Sequence, residues 1–331
     1  MRAAEVTETA TATTTTTPSS RGVHKAALKP NNPERIWKTW KFPRTGHTLT
    51  GYSRSADKTF FHIPELQVGL DAGMCRGRQP KYVFLTHTHT DHSVDVAYMS
   101  KKEGMTLFCP EEVSGVVEEY IKASSQLNWG QPIPEGHGFM AGSLQPVKPG
   151  DTYLIKNGLY QVTVLRCFHS VACVGYAFAE RKKRLRPEYV GTPGRELGRL
   201  RKEGVEIEEE TYAPLFVYLG DTSTQVYEAH PEVFDYPVII TECTFIPDPQ
   251  EDDQVIMERA ERDGHIHWNS LQDIVLAHPD NTFVLIHFSL RYKERTIHQF
   301  FDDLATREEN PLPLDNVVVF VGECNEGNPD N

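Results

Sequence analysis

Long apolar runs and paired cysteines are both missing from this chain of 331 residues. No run of about 18 apolar residues occurs, so we expect no helix long enough to cross a bilayer. The six cysteines include no Cys-x-x-Cys pair and no spacing typical of a disulfide framework. We therefore predict reduced thiols in a cytoplasmic or nuclear protein, and the Thr-rich first segment leaves an organellar location open.

An excess of positive charge is missing as well. The formal net charge is −12, which as a whole argues against nucleic acid as a partner. The window 181–202 is different, because it holds nine Lys or Arg residues and only two Glu residues. Charges are screened beyond about 8 Å at physiological salt, so a local basic insert can contact phosphates on an acidic protein. A solvated arm or a nuclear import signal are the simpler interpretations of this insert.

The composition changes sharply near the start of the chain. Residues 1–34 are rich in Thr, Ala, Ser and Pro and lack apolar periodicity, which predicts a disordered tail. We predict one domain over residues 35–325 with the basic insert at about 181–202, and a short C-terminal tail at 326–331. The chain is 39% hydrophobic and 24% charged, as in an ordinary soluble globular protein.

Within this domain, short apolar runs repeatedly end in a polar residue. These runs begin at Tyr82, Val162, Leu215, Val238 and Phe283. Continuous apolar runs are typical of strands that are buried on both faces. Helical spacing lies between them, at 111–127, 270–276 and 293–304. The pattern predicts an α/β fold, an αββα sandwich of two mixed sheets flanked by helices.

The run at Tyr82 leads into the segment His87-Thr-His-Thr-Asp-His92, although histidine is scarce, with 14 residues in the chain. Alternate residues of an extended segment point the same way, so His87, His89 and Asp91 can converge while His92 points to the other side. Imidazole and carboxylate are ligands for Zn²⁺, or for Mn²⁺ in a more oxygen-rich shell. The segment can therefore serve two adjacent metals, and a solvated polar loop is the simpler alternative.

Two metals need more ligands than this loop holds, and the ends of other apolar runs supply His169, Asp221 and His287. Each of these could instead be a buried core histidine or a turn residue. A carboxylate can bridge two cations, and Asp221 is the best candidate for that role. The predicted ligands are then His87, His89, His169 and Asp221 for one metal and Asp91, His92, Asp221 and His287 for the other.

The His-x-His-x-Asp-His segment with downstream His, Asp and His resembles the metallo-β-lactamase superfamily. Further segments resemble ribonuclease Z, the endonuclease that trims 3′ trailers from precursor tRNA. They are the segments Leu70-Asp-Ala-Gly73, Gly220-Asp-Thr222, Thr241-Glu-Cys-Thr-Phe245, Gly264-His-Ile-His267 and His287-Phe-Ser-Leu-Arg-Tyr292. The resemblance covers roughly residues 45–323 and is greatest to the short form of the enzyme. It implies a metallo-β-lactamase-like fold.

The resemblance also implies an activity, that of a dinuclear zinc endoribonuclease that leaves a tRNA 3′-OH and a trailer with a 5′ phosphate. Asp91 would accept the proton of the attacking water while remaining a ligand. His267 would protonate the leaving ribose oxygen, with Glu242 fixing its tautomer, and His265 is the alternative acid. Arg291 would hold a phosphate oxygen. Two zinc ions per chain are expected, with Mn²⁺ as an alternative.

The basic insert lies between His169 and Asp221, the interval from which ribonuclease Z extends its tRNA-binding arm. The resemblance therefore implies contacts with precursor tRNA from Arg181, Lys182, Lys183, Arg184 and Arg186. It implies a homodimer as well. One departure from the family is the segment 93–97, where Ser-Val-Asp-Val-Ala replaces the usual glycine pair after Asp91-His92.

Two other functions fit the same motifs. The first is a zinc phosphodiesterase that acts on small phosphodiesters or cyclic nucleotides. The second is a non-catalytic RNA-binding protein, which the full set of ligand-type residues argues against.

Overall fold

Two seven-stranded sheets pack face to face in the computed structural model, which describes residues 37–43 and 45–321. These residues belong to one compact unit of the chain. The tails predicted at 1–34 and 326–331 lie outside the described residues. None of the helices in the described part of the chain has the length and apolar composition that a bilayer crossing requires.

The first sheet contains the first seven strands in chain order. Its first four strands pair antiparallel and the remaining pairs are parallel, so the sheet is mixed. Its strands are β1 (Lys38–Lys41), β2 (Thr48–Arg54), β3 (Lys58–Ile63), β4 (Val68–Leu70), β5 (Tyr82–Phe84), β6 (Thr106–Pro110) and β7 (Ser143–Val147). The helices that connect its parallel strands are α1 (Thr90–Ser93), α2 (Val96–Met99) and α3 (Ser114–Trp129).

The second sheet contains the last seven strands and is also mixed, antiparallel over its first four strands and parallel afterwards. Its strands are β8 (Thr152–Ile155), β9 (Tyr160–Arg166), β10 (Val174–Leu185), β11 (Glu208–Tyr218), β12 (Val238–Glu242), β13 (Thr282–Ile286) and β14 (Val317–Val319). The accompanying helices are α4 (Gly194–Lys202), α5 (Gln225–Ala229), α6 (Asp253–Asp263), α7 (Trp268–Ala277) and α8 (Glu294–Thr306).

The main core lies between the sheets and is built from aromatic side chains of both. Phe84 of the first sheet contacts Tyr176 and Phe178 of the second edge-to-face, with ring centroids 5.0 and 5.2 Å apart. Two further apolar clusters lie on the outer faces, where the helices cover the sheets. The predicted αββα sandwich of two mixed sheets is therefore confirmed. The continuous apolar runs follow from it, because these strands are covered on both faces.

The parallel strands of both sheets bring their C-terminal ends to the same region, which determines where chemistry can occur. The metal loop (residues 87–92) follows β5, Asp221 follows β11, and His287 follows β13 directly. Loops after parallel strands are held by a rigid sheet and are the usual place for ligand sites in layered α/β folds.

The basic insert forms a two-stranded arm that is an extension of the second sheet. Residues 176–180 of β10 pair with both β9 and β11, whereas residues 181–185 pair with β11 alone. The connection between the two arm strands contains a 3₁₀ turn at Pro187–Tyr189 and helix α4. The basic window 181–202 therefore begins in strand β10 and ends in helix α4.

Candidate metal centre

The metal loop is held in place by the strand that lies beside it. After β5 the chain runs extended to His89 and then enters α1. Asp71, which follows β4, accepts hydrogen bonds on Oδ1 from the backbone N–H of Thr86 at 2.8 Å and from its hydroxyl at 2.9 Å. The carboxylate thereby fixes the start of the loop beside the first ligand.

The turn after Asp91-His92 is made without glycine. Helices α1 and α2 carry the chain around, and no residue from 90 to 99 has a positive φ. The Ser93 hydroxyl donates to the carbonyls of Thr88 and His89, each at 3.0 Å. Asp95 accepts from the backbone N–H of Cys75 at 2.8 Å. Helical backbone and these side-chain bonds therefore replace the family's glycine pair.

Gly73 lies so close to the metal loop that no side chain fits at this position. A Cβ atom built there would lie 1.8 Å from the carbonyl oxygen of Asp91. The neighbouring backbone is also in direct contact with the loop, because the N–H of Ala72 donates to the carbonyl of His92 at 2.7 Å. The Asp-Ala-Gly segment thus packs its backbone directly under the ligand loop.

Four of the predicted ligands form a first cluster, in which the ligand atoms all lie within 4.8 Å of one another. His169 Nε2 is 3.1 Å from His89 Nδ1, and His87 Nε2 is 3.7 Å from Asp221 Oδ2. The members of this first cluster are His87, His89, His169 and Asp221.

A second cluster lies on the other side of the Asp221 carboxylate. His92 Nε2 is 3.2 Å from His287 Nε2, and Asp91 Oδ2 is 3.4 Å from His287 Nε2. Asp221 lies 3.4 Å from His92 through Oδ1 and 3.3 Å from His287 through Oδ2. The structure therefore brings all seven predicted ligands together, with Asp221 common to the two clusters.

These atoms are arranged as cation ligands and have few other partners. His87 Nε2 and Asp221 Oδ1 are buried and have no hydrogen-bond partner among the described residues. His92 Nδ1 donates to Asp71 at 2.9 Å and His169 Nδ1 donates to the Gly264 carbonyl at 2.8 Å. Their Nε2 lone pairs then point into the clusters, where a metal ion would satisfy them. The donor set fits transition-metal binding.

The charges of the cluster residues depend strongly on each other. Burial alone would raise the pKa of Asp221, but the nearby His287 and His92 imidazoles hold that pKa well below its usual range. Burial lowers the pKa of His92, yet the Asp221 and Asp71 carboxylates raise it well above the usual value. For His87, burial dominates and the pKa falls well below the ordinary histidine value. A charged, buried Asp221 is thus stabilised by whatever cation shares the site.

A carboxylate–imidazole pair lies at the edge of the second cluster. His265 Nδ1 donates to Glu242 Oε1 at 3.0 Å. Glu242 is fully buried and also accepts from the backbone N–H groups of Thr222 and Ile266. Burial lowers the pKa of His265, but the Glu242 carboxylate outweighs this and raises it to about 9. Ligand atoms of this pair lie within 4.8 Å of those of Asp221 and His287.

Comparison with known proteins finds chains of similar sequence. No protein-family model matches the chain. The curated protein "tRNase Z TRZ1" of Arabidopsis thaliana is 27% identical over 283 residues, which is 82% of this chain and 94% of the relative. The chain is thus similar to a tRNase Z over most of the length of both proteins. The resemblance predicted from the sequence motifs is thereby confirmed.

Two further similar proteins cover less of the chain than TRZ1 does. The chloroplastic tRNase Z TRZ2 of Arabidopsis thaliana is 26% identical over 264 residues, 76% of this chain and 70% of the relative. Among solved structures, the short form of human tRNase Z is 17% identical with a TM-score of 0.43, covering 76% of this chain and 89% of that one.

The predicted pairing of Glu242 with His267 is wrong, because Glu242 contacts His265 instead. The N–H of Ile266, the residue between the two histidines, donates to Glu242. His265 and His267 therefore have different surroundings. His267 is the N-cap of α7, where its Nδ1 accepts from the N–H of Asn269, and only 1% of the residue is exposed. The side chain of His265 is 18% exposed. Of the two histidines, His265 is therefore the one that contacts the Glu242 carboxylate and reaches solvent.

Arg291, the predicted phosphate ligand, is paired with an acidic side chain and lies against an aromatic ring. Its Nη1 donates to Glu251 at 2.6 Å, and its guanidinium lies 5.2 Å from the centre of the Phe245 ring. A second arginine was missed by sequence reasoning. Arg54 is buried and donates to the carbonyls of Phe288, Ser289 and Tyr292. No local motif surrounds Arg54, so only the folded structure reveals that it holds the segment after His287.

The five predicted arm residues lie on β10 and just beyond it, opposite a row of glutamates. Arg181 pairs with Glu210 at 3.5 Å, Lys182 with Glu180 at 2.6 Å, and Arg186 with Glu206 at 3.2 Å. Lys183 and Arg184 make no ion pair within the described ranges, although they lie opposite Glu210 and Glu209 in the strand register. Residues 180–210 contain nine Lys or Arg and eight Glu. The arm is therefore far less basic than the window 181–202 suggests.

Proposed function

We propose that this chain is a dinuclear zinc endoribonuclease that removes 3′ trailers from precursor tRNA, leaving a tRNA 3′-OH and a trailer with a 5′ phosphate. The observation that carries the proposal is the position of the Asp221 carboxylate between two His/Asp clusters, with the Glu242–His265 pair beside the second one. A relative named tRNase Z that matches over 94% of its own length supports the substrate class.

Zinc suits the donor set, because five of the seven proposed ligands are imidazoles and two are carboxylates. Mn²⁺ is the alternative, since it prefers more oxygen ligands. Two such ions in one site can stabilise charge on a transferring phosphoryl group and lower the pKa of a water molecule. The ligands named above would hold one ion per cluster, and Asp221 would contact both.

Asp91 is proposed to orient the attacking water and accept its proton. Its Oδ2 accepts from the N–H of Ala56 at 3.0 Å, which fixes one side of the carboxylate. The side chain is 14% exposed, so it contacts both the second cluster and solvent. This placement lets the same carboxylate bind at the cluster and face the substrate.

His265 is proposed to protonate the leaving ribose 3′ oxygen, in place of His267. A ribose oxygen is a poor leaving group unless it receives a proton. Glu242 accepts the hydrogen bond of His265 Nδ1, which leaves the opposite ring nitrogen, Nε2, free to donate its proton. The acid would therefore be oriented by a carboxylate that is itself fixed by two backbone N–H groups.

Precursor tRNA would approach across a polar cleft of about 680 Å³ beside the first cluster. The cleft is lined by Arg166, Phe168, His169 and Arg262, among other residues. Arg166 lies over the Phe168 ring at 5.3 Å, a pair that can contact a phosphate and a base. Arg291 would reach a phosphate oxygen if it exchanged its Glu251 partner for substrate.

A homodimer is proposed to form through helix α3. Val116, Tyr120, Ala123 and Leu127 recur every four, three and four residues, which places them on one face of the helix. This face is exposed, most strongly at Leu127, whose exposed fraction is 83%. The buried face of the same helix carries Val117 and Ile121, so the exposed stripe is a second apolar surface. Apolar stripes of this kind are typical of protein interfaces.

A phosphodiesterase for small esters or cyclic nucleotides is the second candidate. The near balance of Lys/Arg and Glu in residues 180–210 favours it, because a neutralised arm attracts RNA phosphates weakly. The two metal clusters would act on small esters without any contribution from the arm.

Cleavage of a 3′-extended precursor tRNA by the zinc-loaded protein tests the proposal. End-labelling should map one cut 3′ of the tRNA body, and Asp91→Ala should abolish it while RNA binding survives. Hydrolysis of bis(p-nitrophenyl) phosphate by the same sample should be strongly inhibited by bulk tRNA. Hydrolysis of the small ester without cleavage of precursor tRNA, and without inhibition by tRNA, would favour the second candidate instead.

A further inference from the structure

Two threonines occupy equivalent positions, one behind each metal cluster. The Thr86 hydroxyl donates to Asp71 Oδ1 at 2.9 Å and lies 3.0 Å from Nδ1 of His87. The Thr244 hydroxyl donates to Glu242 Oε2 at 2.5 Å and lies 3.1 Å from Nδ1 of His287. In each case a hydroxyl therefore stands between a buried carboxylate and a ligand imidazole.

Each threonine hydroxyl can donate to only one of its two neighbours. A threonine hydroxyl has one hydrogen to donate, and a carboxylate is the stronger of the two acceptors available. Thr244 therefore gives its proton to Glu242 and can only accept from His287. The same count applies to Thr86 between Asp71 and His87. Both imidazoles must then carry their proton on Nδ1 and keep the lone pair on Nε2.

The lone pairs point where the clusters require them. His87 Nε2 is buried without a hydrogen-bond partner in the part of the chain that the structure describes. His287 Nε2 lies 3.3 Å from Asp221 and 3.4 Å from Asp91, within the second cluster. In the opposite tautomer, Nδ1 would carry a lone pair. The threonine hydroxyl already donates its proton to the carboxylate, so no hydrogen bond could join Nδ1 to the hydroxyl oxygen.

Burial makes this arrangement selective. Both threonines, both carboxylates and both imidazoles are at most 1% exposed, so water cannot replace a missing bond. Leaving a buried polar atom without a partner is costly enough to reverse a tautomer preference. The two other clustered histidines with a fixed Nδ1, His92 and His169, use a carboxylate and a carbonyl directly. Thr86 and Thr244 perform the same task through a hydroxyl.

We infer that Thr86 and Thr244 are positioning residues, one for each proposed metal ion, which fix the tautomer of His87 and His287 and relay the charge of Asp71 and Glu242 to them. The inference rests on the metal centre of the proposed function. Thr244 has an added consequence, because Glu242 also orients His265. Loss of its hydroxyl would affect both a ligand and the proposed acid.

Zinc affinity and imidazole tautomers in threonine variants test the inference. Thr86→Val and Thr244→Val keep the volume and remove the hydroxyl, whereas Thr86→Ser and Thr244→Ser keep it. Chelator competition should show that one of two zinc ions binds about 10–100-fold more weakly in each valine variant. The serine variants should stay within about threefold of the wild type, as expected if the hydroxyl is what matters. Histidine ¹⁵N NMR of the metal-free valine variants should show His87 or His287 losing its Nδ1–H form.

Thr241→Val is the matched control. Thr241 is fully buried in β12 and accepts from the Tyr227 hydroxyl at 2.9 Å, and its hydroxyl makes no hydrogen bond with a proposed ligand among the described residues. Its variant should bind zinc normally. Unchanged histidine tautomers and unchanged zinc affinity in Thr86→Val and Thr244→Val would overturn the relay. An equal loss of zinc affinity in Thr241→Val would overturn it as well. The tautomers are measured without metal, so a wild type that binds no zinc would refute the metal centre while the NMR signals still decide the relay.

Discussion

At the scale of single residues, the contrast between His265 and His267 shows how closely adjacent side chains can differ. The two are separated by Ile266, whose N–H binds Glu242. His265 contacts the Glu242 carboxylate, whereas His267 caps α7 and is buried. Sequence motifs locate both histidines but cannot tell which one contacts the carboxylate, because that depends on where α7 begins.

His265→Ala should slow precursor tRNA cleavage by about 10²–10⁴, because the leaving oxygen loses its acid. His267→Ala should mainly lower the free energy of unfolding, by about 1 kcal/mol, because α7 loses a cap. Single-turnover rates and thermal unfolding of both variants measure the two effects, with bound zinc checked in each. A larger rate loss in His267→Ala than in His265→Ala would contradict this assignment.

Gly264 allows the chain to pass close to the ligand His169. A Cβ atom at this position would lie 2.5 Å from His169 Cα, and its φ is +72°. Gly264→Ala should displace His169 and weaken zinc binding at the first cluster by about tenfold or more, in addition to the strain of about 1 kcal/mol or more that a positive φ imposes on alanine. Zinc competition and thermal unfolding are the measurements.

Gly204 provides the control for Gly264. Its φ is +80° and a Cβ atom there would meet nothing within 4 Å, so Gly204→Ala introduces the same backbone strain without the clash. We expect Gly204→Ala to keep normal zinc affinity. Equal zinc affinities in the two variants would show that the contact with His169 does not matter.

The residues that could be predicted are those that carry a motif or follow an apolar run. The seven ligand candidates are of this kind, and the structure brings them together. Thr86, Thr244 and Arg54 gave no signal, since single Thr and Arg residues are common and their partners are far away in sequence. Arg54, for example, contacts residues 288–292. Long-range packing, rather than local pattern, decides such roles.

At the scale of elements, the apolar runs and helical spacing predicted most of the framework. The helix expected over 111–127 is a 3₁₀ turn followed by α3, and the one expected over 293–304 is α8. The arm was harder to predict, because its charge depends on pairing. The window 181–202 ends before Glu203 and the Glu206–Glu210 segment, whose carboxylates face the basic strand and helix α4.

The arm should contribute to tRNA affinity mainly through its unpaired cations. Lys183→Gln with Arg184→Gln should raise KM for precursor tRNA a few-fold and flatten its salt dependence, because two phosphate contacts are lost. Arg199→Gln serves as the control, since Arg199 is already paired with Glu196 and Glu203. KM values at several salt concentrations measure the effect. An unchanged KM in the double variant would remove the arm from the account.

Helix α3 should determine the oligomeric state. Val116→Glu with Leu127→Glu places two charges on the exposed apolar stripe and should convert a dimer to a monomer, since unpaired charges at an interface are costly. Lys122→Glu, also exposed on α3 but off the stripe, should leave the dimer intact. Light scattering at micromolar concentration measures this. A wild type that is monomeric, or a double variant that stays dimeric, would contradict the proposed interface.

At the scale of the whole molecule, the two sheets matter because they bring loops that are distant in sequence to one place. The key side chains lie at or just after the ends of strands of both sheets: Asp71, the metal loop, Asp221, Glu242 and His287. Bonds from neighbouring loops hold Asp71, Glu242 and His287 in place. The fold class could be predicted because buried parallel strands leave continuous apolar runs. The surroundings of each ligand could not, because they arise only when the sheets pack.

The metal content of the active protein tests the central claim most directly. Elemental analysis of wild-type protein that cleaves precursor tRNA should find two zinc ions per chain. Asp221→Ala should retain clearly fewer, because both clusters lose the carboxylate that they share. Active wild-type protein without a bound transition metal, or an Asp221→Ala variant that keeps two ions and full activity, would contradict the account.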